Sequence, residues 1–336
     1  MKKIITLTLL IFFTGCATNP VKNVIYEDFD IAIVGDIMLG RNLSTYWEKY
    51  GSSYPFELVK DEFKNCSVVF GNLECPLVYK EKINGLKKNG KKKIHLYAEE
   101  DAAKSLSEAG FNIISLANNH TLDYGQDGIK QTIELLEKHN IKYAGIWKGD
   151  LSKPNEPVIF EVKGAKVGFL CYSDVSHRSF AAGVRKYGTI PATVKVMKKD
   201  IKNARKKVDI LIVYLHWGKE FQKVKKFQYK AAKNLIDTGA DMIIGSHTHI
   251  FQDIEKYNDK YIFYGLGNFV FDMKREETKY SAIVKVRIDN KKIEKIKVVP
   301  VYLEDFRPSK IKGEDKINEF FSKINLINII KGEIFK

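Results

Sequence analysis

Residues 241–249 combine a short apolar run, a glycine and two histidines that are separated by one residue. The apolar run is typical of a buried strand, because it is short and bounded by turn signals. Gly245 allows the chain to turn sharply at the carboxyl end of this strand, which is where open α/β sheets usually place their sites. His247 and His249 are therefore candidate metal ligands, with a pair of surface histidines as the alternative.

Four other predicted strands also end in polar side chains of the metal-binding type. They are residues 29–34 before Asp36, residues 67–70 before Asn72 and Glu74, residues 112–116 before Asn119 and His120, and residues 209–215 before His216. Each polar group taken alone has an ordinary explanation, such as capping a helix or serving a turn. Their recurrence at five strand ends favours one shared site. Carboxylate, amide and imidazole ligands together suit manganese, iron or zinc.

The order of the predicted elements indicates the fold class. Further strands are predicted at residues 142–146, 158–162, 166–172, 251–257, 261–265, 281–288 and 295–302, and helices at 55–64, 98–109, 126–139, 194–206 and 227–238. Alternation of strands and helices, followed by more antiparallel strands, predicts one α/β domain with two mixed sheets between helical layers. A tail from residue 306 carries a helix over about residues 314–330, which we expect to pack outside this domain.

The charge of the chain indicates the chemistry of its partners. The 336 residues carry a formal net charge of +15, and 44% of them are hydrophobic, as in a globular protein. Seven lysines lie in residues 80–93, which indicates a mobile, solvated loop. Attraction to an anionic polymer or a membrane surface is the alternative role for these lysines. A nucleic-acid partner is not expected, because no recognition motif accompanies the charge.

The amino terminus has the features of a secretion signal. Two lysines precede an apolar stretch over residues 4–13 that is too short to span a bilayer. Residues 13–16 resemble the lipobox of bacterial lipoproteins, which predicts a signal peptide over residues 1–15, a lipid on Cys16 and a linker over residues 16–28. The lipid would tether the protein to the extracytoplasmic face of the cell membrane, with an uncleaved anchor or ordinary secretion as alternatives.

The remaining cysteines do not form a recognisable framework. Cys66, Cys75 and Cys171 are odd in number and show no C-x-x-C spacing, so a structural zinc site or a disulfide scaffold is not expected. We interpret them as small core residues, and leave open a pairing of Cys66 with Cys75.

Six motifs taken together resemble the CapA family, whose members are linked to poly-γ-glutamate capsule synthesis and have a metallophosphoesterase-like fold. The motifs are residues 35–41, 71–74, 117–120, 216–218, 245–249 and 264–269. The resemblance covers about residues 29–303. It implies a metallophosphoesterase-like α/β/β/α sandwich over residues 29–305, followed by a helical tail over residues 306–336.

The wider metallophosphoesterase superfamily implies roles for the matching residues. By that resemblance Asp36 and His249 hold one divalent metal, Glu74 bridges to a second, and the second site is completed by Asn119, His216 and His247. His120 would act as general acid. We assign Arg41 to binding a substrate anion, with a solvated arginine as the alternative. We place Asn268 on the substrate-binding side of the pocket, where it would also support the metal ligands.

The chain departs from the superfamily pattern at one motif. Phosphoesterases usually open with Asp-x-His, whereas Asp36 is followed by Ile37 and Met38, and Glu74 stands where an aspartate usually bridges. Ordinary phosphatase activity is therefore in doubt. The resemblance implies a membrane-tethered, metal-dependent protein in the synthesis or export of poly-γ-glutamate, together with membrane subunits of a capsule complex. The alternatives are a non-catalytic, polymer-binding accessory lipoprotein and a surface metal-dependent phosphoesterase.

Overall fold

The computed structural model describes residues 27–90 and 92–334. The predicted signal peptide, Cys16 and most of the predicted linker lie outside these residues. The α-helices are α1 Asn42–Tyr50, α2 Asp101–Glu108, α3 Gly125–Lys138, α4 Val194–Ala204, α5 Lys226–Thr238 and α6 Glu314–Ser322. The strands of the amino-terminal half are β1 Phe29–Ile37, β2 Cys66–Leu73, β3 Leu77–Val78, β4 Ala98–Glu99, β5 Ile113–Ser115, β6 Lys142–Ala144, β7 Ile146–Trp147 and β8 Val158–Val162. The later strands are β9 Ala165–Ser173, β10 Gly188–Thr189, β11 Ile210–His216, β12 Met242–Ser246, β13 Ile254–Tyr257, β14 Lys260–Phe263, β15 Asn268–Val270, β16 Tyr280–Asp289, β17 Lys292–Glu304, β18 Arg307–Lys310 and β19 Leu326–Ile327.

Two large mixed sheets form the centre of the molecule. The first has the strand order β18-β17-β16-β1-β2-β5-β6, and β15 also pairs with β1. The second has the order β19-β13-β14-β12-β11-β9-β8. In each sheet the inner strands β1, β2 and β5, or β9, β11 and β12, run parallel. β6 and β14 continue the parallel pairing, whereas β16 pairs antiparallel with β1 and β8 pairs antiparallel with β9. Parallel central strands place their carboxyl ends at one edge, as a shared site requires.

The apolar side chains divide into three layers of core, which confirms the predicted α/β/β/α sandwich. One layer lies between the two sheets, where the rings of Phe70 and Phe169 stack with their centroids 5.4 Å apart. A second layer packs the outer face of the first sheet against α2 and α3. The third packs the outer face of the second sheet against α4 and α5. Alternate residues of β1 and β11 face opposite layers, as the two-residue period of a strand requires.

Several predicted elements differ from those observed. Residues 55–64 do not form the predicted α-helix, and only a short 3-10 turn over Lys60–Glu62 appears there. Helix α1 and strand β15 were not predicted. Helix α1 has no side-chain N-cap and no acidic residue in its first turn, so its start carries no sequence signal.

The tail is more closely integrated than we expected. Its helix ends at Ser322 rather than near residue 330, and β19 then pairs in parallel with β13 at the edge of the second sheet. Phe320 and Phe321 are buried in the core between the sheets, which corrects the expectation that this helix packs outside. Burying these two adjacent aromatic side chains is favourable, because it removes their apolar surface from water.

Two further observations concern the state of the cysteines and the length of the helices. Cys66, Cys75 and Cys171 are free thiols, so Cys66 and Cys75 are unpaired here, and Cys75 and Cys171 are buried. Within residues 27–90 and 92–334, none of the helices has both the length and the apolar character needed to cross a membrane.

Candidate metal centre

The carboxyl ends of the two sheets bring five candidate ligands together. Asp36 and Glu74 come from β1 and from the residue after β2, His216 ends β11, and His247 and His249 follow β12. Two groups have ligand atoms that all lie within 4.8 Å of one another: Glu74 with His216 and His247, and Glu74 with Asp36 and His249. All five residues are buried. Glu74 belongs to both groups, which is the position of a bridging ligand.

Glu74 is the residue of this cluster whose surroundings are most compatible with a bound cation. Among the described residues neither carboxylate oxygen has a hydrogen-bond partner, although both are buried. Oε1 lies 3.7 Å from Nε2 of His216 and 3.9 Å from Nε2 of His249. Burial, reinforced by the nearby Asp36, holds the pKa of Glu74 well above its usual range. A buried carboxylate without partners is costly, and a divalent cation would offset that cost.

Two histidines are oriented by hydrogen bonds to their Nδ1 atoms. The Nδ1 of His249 lies 2.8 Å from Oδ1 of Asn268, and the amide oxygen can only accept, so Nδ1 donates. This leaves the lone pair of Nε2 directed toward Glu74 and free to bind a metal. The Nδ1 of His216 contacts the hydroxyls of Ser246 and Tyr214 at 3.1 and 3.2 Å.

The second ring nitrogen of His216, Nε2, faces Asn119. It lies 2.9 Å from Oδ1 of Asn119, so the amide oxygen reaches the same point as the Glu74, His216 and His247 group. In a chain without metal these two atoms share one hydrogen bond. Both are also ordinary metal-ligand atoms, which fits the expectation that they serve one ion.

The protonation of the histidines suits metal binding. Burial, together with the nearby His249, lowers the pKa of His247 to about 3, and among the described residues its Nδ1 has no hydrogen-bond partner. Burial, together with the nearby His247 and His249, holds the pKa of His216 well below its usual range. Because a ligand imidazole must be neutral, both histidines are held in the required form.

A hydrogen-bond network holds Asp36 in place. Its Oδ1 accepts from Nδ2 of Asn72 at 2.8 Å and from the hydroxyl of Ser246, and its Oδ2 accepts from the backbone N–H of His247 at 3.1 Å. Burial raises the pKa of Asp36, although His249 and these hydrogen bonds oppose the shift. The network ties the end of β1 to the loop after β12.

The loop that carries the two histidines has a strained backbone. His247 and His249 have φ angles of 88° and 58°, in the left-handed region that non-glycine residues rarely adopt. Such conformations cost on the order of 1–3 kcal/mol each and persist where surrounding contacts hold them. The alternation of left-handed residues turns both imidazoles toward Glu74.

His120 lies beside the candidate ligands and has a carboxylate partner. Its Nδ1 is 2.6 Å from Oδ2 of Asp123, and the other oxygen of Asp123 accepts a hydrogen bond from Lys92 Nζ at 2.7 Å. Lys92 also donates to the backbone carbonyl of Asn119. The interpretation of residues 80–93 as a solvated loop is therefore wrong at Lys92. Burial lowers the pKa of His120, against the opposing effect of Asp123.

The two residues assigned to substrate binding occupy different places. Asn268 is buried, and its Oδ1 lies 2.8 Å from Nδ1 of His249, which is one of the candidate ligands. Arg41 lies at the rim, with 42% of its side chain exposed, and its Nε is 3.2 Å from Oδ2 of the buried Asp272. The structure does not bring Arg41 into hydrogen-bond contact with the candidate ligands among the described residues.

Several residues of the site were missed in the sequence. Asp123 follows His120 by three residues, a spacing that was visible but carried no assigned role. Asn118 lies in the motif of residues 117–120 without an assigned role, yet its Nδ2 donates to the backbone carbonyl of Leu73 at 2.8 Å. Lys92 carried no local signal, because its role depends on how residues 80–93 fold over the strand ends.

The family comparison agrees with the sequence motifs. The model of the family described as bacterial capsule synthesis protein PGA_cap matches residues 30–273. The chain is 35% identical to the capsule biosynthesis protein CapA of Bacillus anthracis, over 88% of this chain and 72% of that protein. It is 32% identical to the PGA biosynthesis protein CapA of Bacillus subtilis (strain 168), over 93% of this chain and 81% of that protein.

A solved structure supports the fold assignment. The 5'-nucleotidase precursor from Thermus thermophilus superposes with a TM-score of 0.51 at 12% sequence identity, covering 88% of this chain and 58% of that one. At this identity the likeness concerns the fold alone, which is metallophosphoesterase-like. The match over residues 30–273 and the two Bacillus relatives place the chain in the bacterial capsule synthesis protein PGA_cap family.

Proposed function

We propose that this protein serves poly-γ-glutamate capsule synthesis or export as a divalent-metal-dependent protein that acts on the polymer or its precursor. The observation that carries the proposal is Glu74, whose two buried oxygens have no hydrogen-bond partner among the described residues. Glu74 belongs both to the group with His216 and His247 and to the group with Asp36 and His249. The names of the two Bacillus relatives supply the capsule polymer as the substrate class.

The reaction class that suits these residues is hydrolysis or transfer at an amide or phosphoester bond. A bound divalent metal would polarise the carbonyl or phosphoryl oxygen of the substrate. His120 would hand a proton to the leaving nitrogen or oxygen, and Asp123 would keep its ring in the required orientation. Asn268 and Ser246 would hold the ligand histidines. Manganese, iron and zinc all fit this mixed oxygen and nitrogen set.

A non-catalytic accessory role is the second candidate, and one observation favours it. The position two residues after Asp36, where phosphoesterases carry a histidine, is the buried Met38, whose sulfur accepts a hydrogen bond from the backbone N–H of Gly40 at 3.3 Å. The group of Asp36, Glu74 and His249 therefore has one histidine nitrogen and lacks the second that phosphoesterases supply. A weak site there favours polymer binding without turnover, and it argues against a general surface phosphoesterase.

Elemental analysis and a substrate panel test the proposal. Protein purified without chelator and offered manganese, iron or zinc should bind metal stoichiometrically and change poly-γ-glutamate in length or linkage. Simple phosphoesters should react weakly. Absence of stoichiometric metal in the wild-type protein would refute the catalytic proposal and leave the accessory role.

The membrane tether is a separate part of the proposal and rests on residues 13–16. Replacing Cys16 with serine should abolish lipid labelling and move the protein from the membrane to the soluble fraction. Cys66→Ser, which alters a cysteine within the folded domain, is the matched control. Lipid incorporation that persists in the Cys16 variant would exclude this anchor.

A further inference from the structure

A cavity opens beside the loop that follows Asp36 and the end of β1. It has a volume of about 580 Å³ and is bounded by the loop after β1, by α1, by the segment that leads into β4 and by the start of α2. None of the six candidate metal residues and no atom of His120 lines it among the described residues. The cavity is therefore a distinct place for a ligand.

A short segment connects this cavity with the proposed acid. His95 and Tyr97 line the cavity, and the residue between them, Leu96, donates its backbone N–H to Oδ2 of Asp123 at 2.8 Å. The same segment is held against the loop after β1, because a Cβ on Gly40 would lie 1.7 Å from the carbonyl oxygen of Tyr97. One wall of the cavity is thus also the support of the His120 and Asp123 pair.

The cavity carries a fixed cation at its rim. Arg41 is bound through Nε to Asp272, whose side chain is fully buried, and this ion pair fixes the plane of the guanidinium. Within the described residues its terminal nitrogens have no acceptor, so they are available to a ligand. Terminal guanidinium nitrogens bind carboxylates in a bidentate manner.

The lining contains further charged residues besides Arg41. Lys104 is 55% exposed, and its Nζ reaches Glu108 only at 3.8 Å. Of the acidic residues in the lining, Glu99 pairs with Lys80 at 3.2 Å. Asp101 lies in the same lining as Arg41, which pairs with Asp272, and Lys104, which pairs with Glu108. Leu39 and Trp47 supply apolar wall between the charged groups.

We propose that this cavity is a subsite for the carboxylates of an anionic polymer whose reacting bond lies at the metal centre, an inference that rests on the proposed function. Arg41 and Lys104 bind carboxylate groups, and the apolar wall contacts the methylene carbons between them. A ligand long enough to occupy the cavity and the metal centre together gains affinity by linkage, whereas a short ligand does not.

The test compares long and short ligands. Isothermal titration of the full-length, metal-loaded protein uses a long γ-linked glutamate oligomer and a γ-glutamyl dipeptide. The double variant Arg41→Gln, Lys104→Gln should bind the long oligomer about tenfold or more weakly, because each charge-assisted contact is worth at least that factor. The dipeptide should bind with unchanged affinity. Lys104→Gln alone, on an exposed helix position, should give part of the loss without any risk to folding.

A charge-matched control separates a site from general attraction. Lys64→Gln with Lys138→Gln removes the same charge from exposed positions that precede β2 and β6, at the opposite edge of the first sheet. These variants should weaken oligomer binding less than about twofold, because exposed charges are screened beyond about 10 Å at 0.1 M salt. An equal loss in both double variants, or no loss in the cavity variants, overturns the subsite.

Two further arms keep this inference apart from the proposed function. Glu74→Gln should lose metal yet still bind the long oligomer in a manner that depends on Arg41 and Lys104. If the wild-type protein binds no metal but oligomer binding keeps that dependence, the proposed chemistry fails and the subsite stands. Inorganic polyphosphate, which has no methylene carbons, should bind more weakly than the oligomer at matched charge. Equal binding would overturn the assignment to carboxylates.

Discussion

The Nδ1 atom of His120 lies 2.6 Å from Oδ2 of Asp123, three residues later in the same loop. Burial disfavours ionisation of Asp123, but hydrogen bonds and charge from His120 and Lys92 outweigh burial and lower its pKa. An ionised carboxylate can only accept, so Nδ1 donates to Asp123, and Nε2 is the ring nitrogen left to pass a proton to a leaving group. The hydrogen bond thereby fixes the orientation of the proposed acid.

This pair predicts coupled effects on turnover. His120→Ala should lower turnover of the polymer by roughly 10²–10⁴-fold, as for loss of a general acid, and leave the metal content unchanged. Asp123→Asn should also lower turnover, and the double variant should be little worse than His120→Ala, since both residues act in one step. Asp127→Asn, at a side chain that is 75% exposed, is the control. If the fold-loss of turnover in the double variant equals the product of the two single losses, the two residues act independently.

Lys92 should stabilise the fold as well as hold the pair of His120 and Asp123. Its Nζ is 2.7 Å from the fully buried side chain of Asp123. Replacing Lys92 with methionine leaves that carboxylate with fewer donors, so the free energy of unfolding should fall by about 1–3 kcal/mol in urea denaturation. Lys88→Met, at an exposed position of the same segment, should change it by less than about 0.5 kcal/mol. Equal effects at both positions would mean that the contact with Asp123 is not formed.

Glu74 should destabilise the protein when metal is removed. Its folded pKa is raised, so its contribution to stability is present below the unfolded value of about 4.5 and is lost as pH rises through the folded value. Near neutral pH, chelator-treated Glu74→Gln should therefore melt at a higher temperature than chelator-treated wild type.

Added metal should reverse the order of the two proteins. It should raise the Tm of the wild type by mass action and leave Glu74→Gln nearly unchanged. Glu161→Gln, an exposed change of the same kind, should behave as wild type in both conditions. A metal-induced shift of equal size in Glu74→Gln would exclude a bridging role for this residue.

His247 should govern the acid limit of the metal-free protein. Its folded pKa of about 3 lies below its unfolded value of 6.5, so its contribution to stability is present above 6.5 and is lost as pH falls toward 3. Over that range His247→Gln should reduce the pH dependence of the unfolding free energy by up to about 1.4 kcal/mol per pH unit. Urea denaturation of chelator-treated protein measures this slope. His177→Gln, at an exposed histidine, is the control; a slope that is unchanged in His247→Gln would contradict the assignment.

The sequence predicted the strands of the site well and its surroundings poorly, for physical reasons. An apolar run that ends in glycine, such as the one before His247, is specified by adjacent residues alone. The partnership of Lys92 with Asp123 joins residues 31 positions apart through a segment without regular structure, so no local pattern encodes it. The helix predicted over residues 55–64 failed because apolar spacing also suits a chain of turns that buries Phe56 and Phe63.

The position of β1 in its sheet has a consequence for how the chain acquires its structure during synthesis. It pairs with β2 on one side. On the other side β15 pairs with its last residues, Asp36 and Ile37, and β16 pairs with residues 29–33, with Phe29 opposite Ile288. Until residues 284–288 have left the ribosome, residues 29–33 of β1 have no partner on that side, and such an edge invites pairing with other chains. The first strand made is among the last to be completed. Ribosome-bound chains stalled before residue 280 should therefore be digested rapidly by protease, whereas the released 336-residue chain should resist it. Resistance in the stalled chains would show that the first sheet closes without β16.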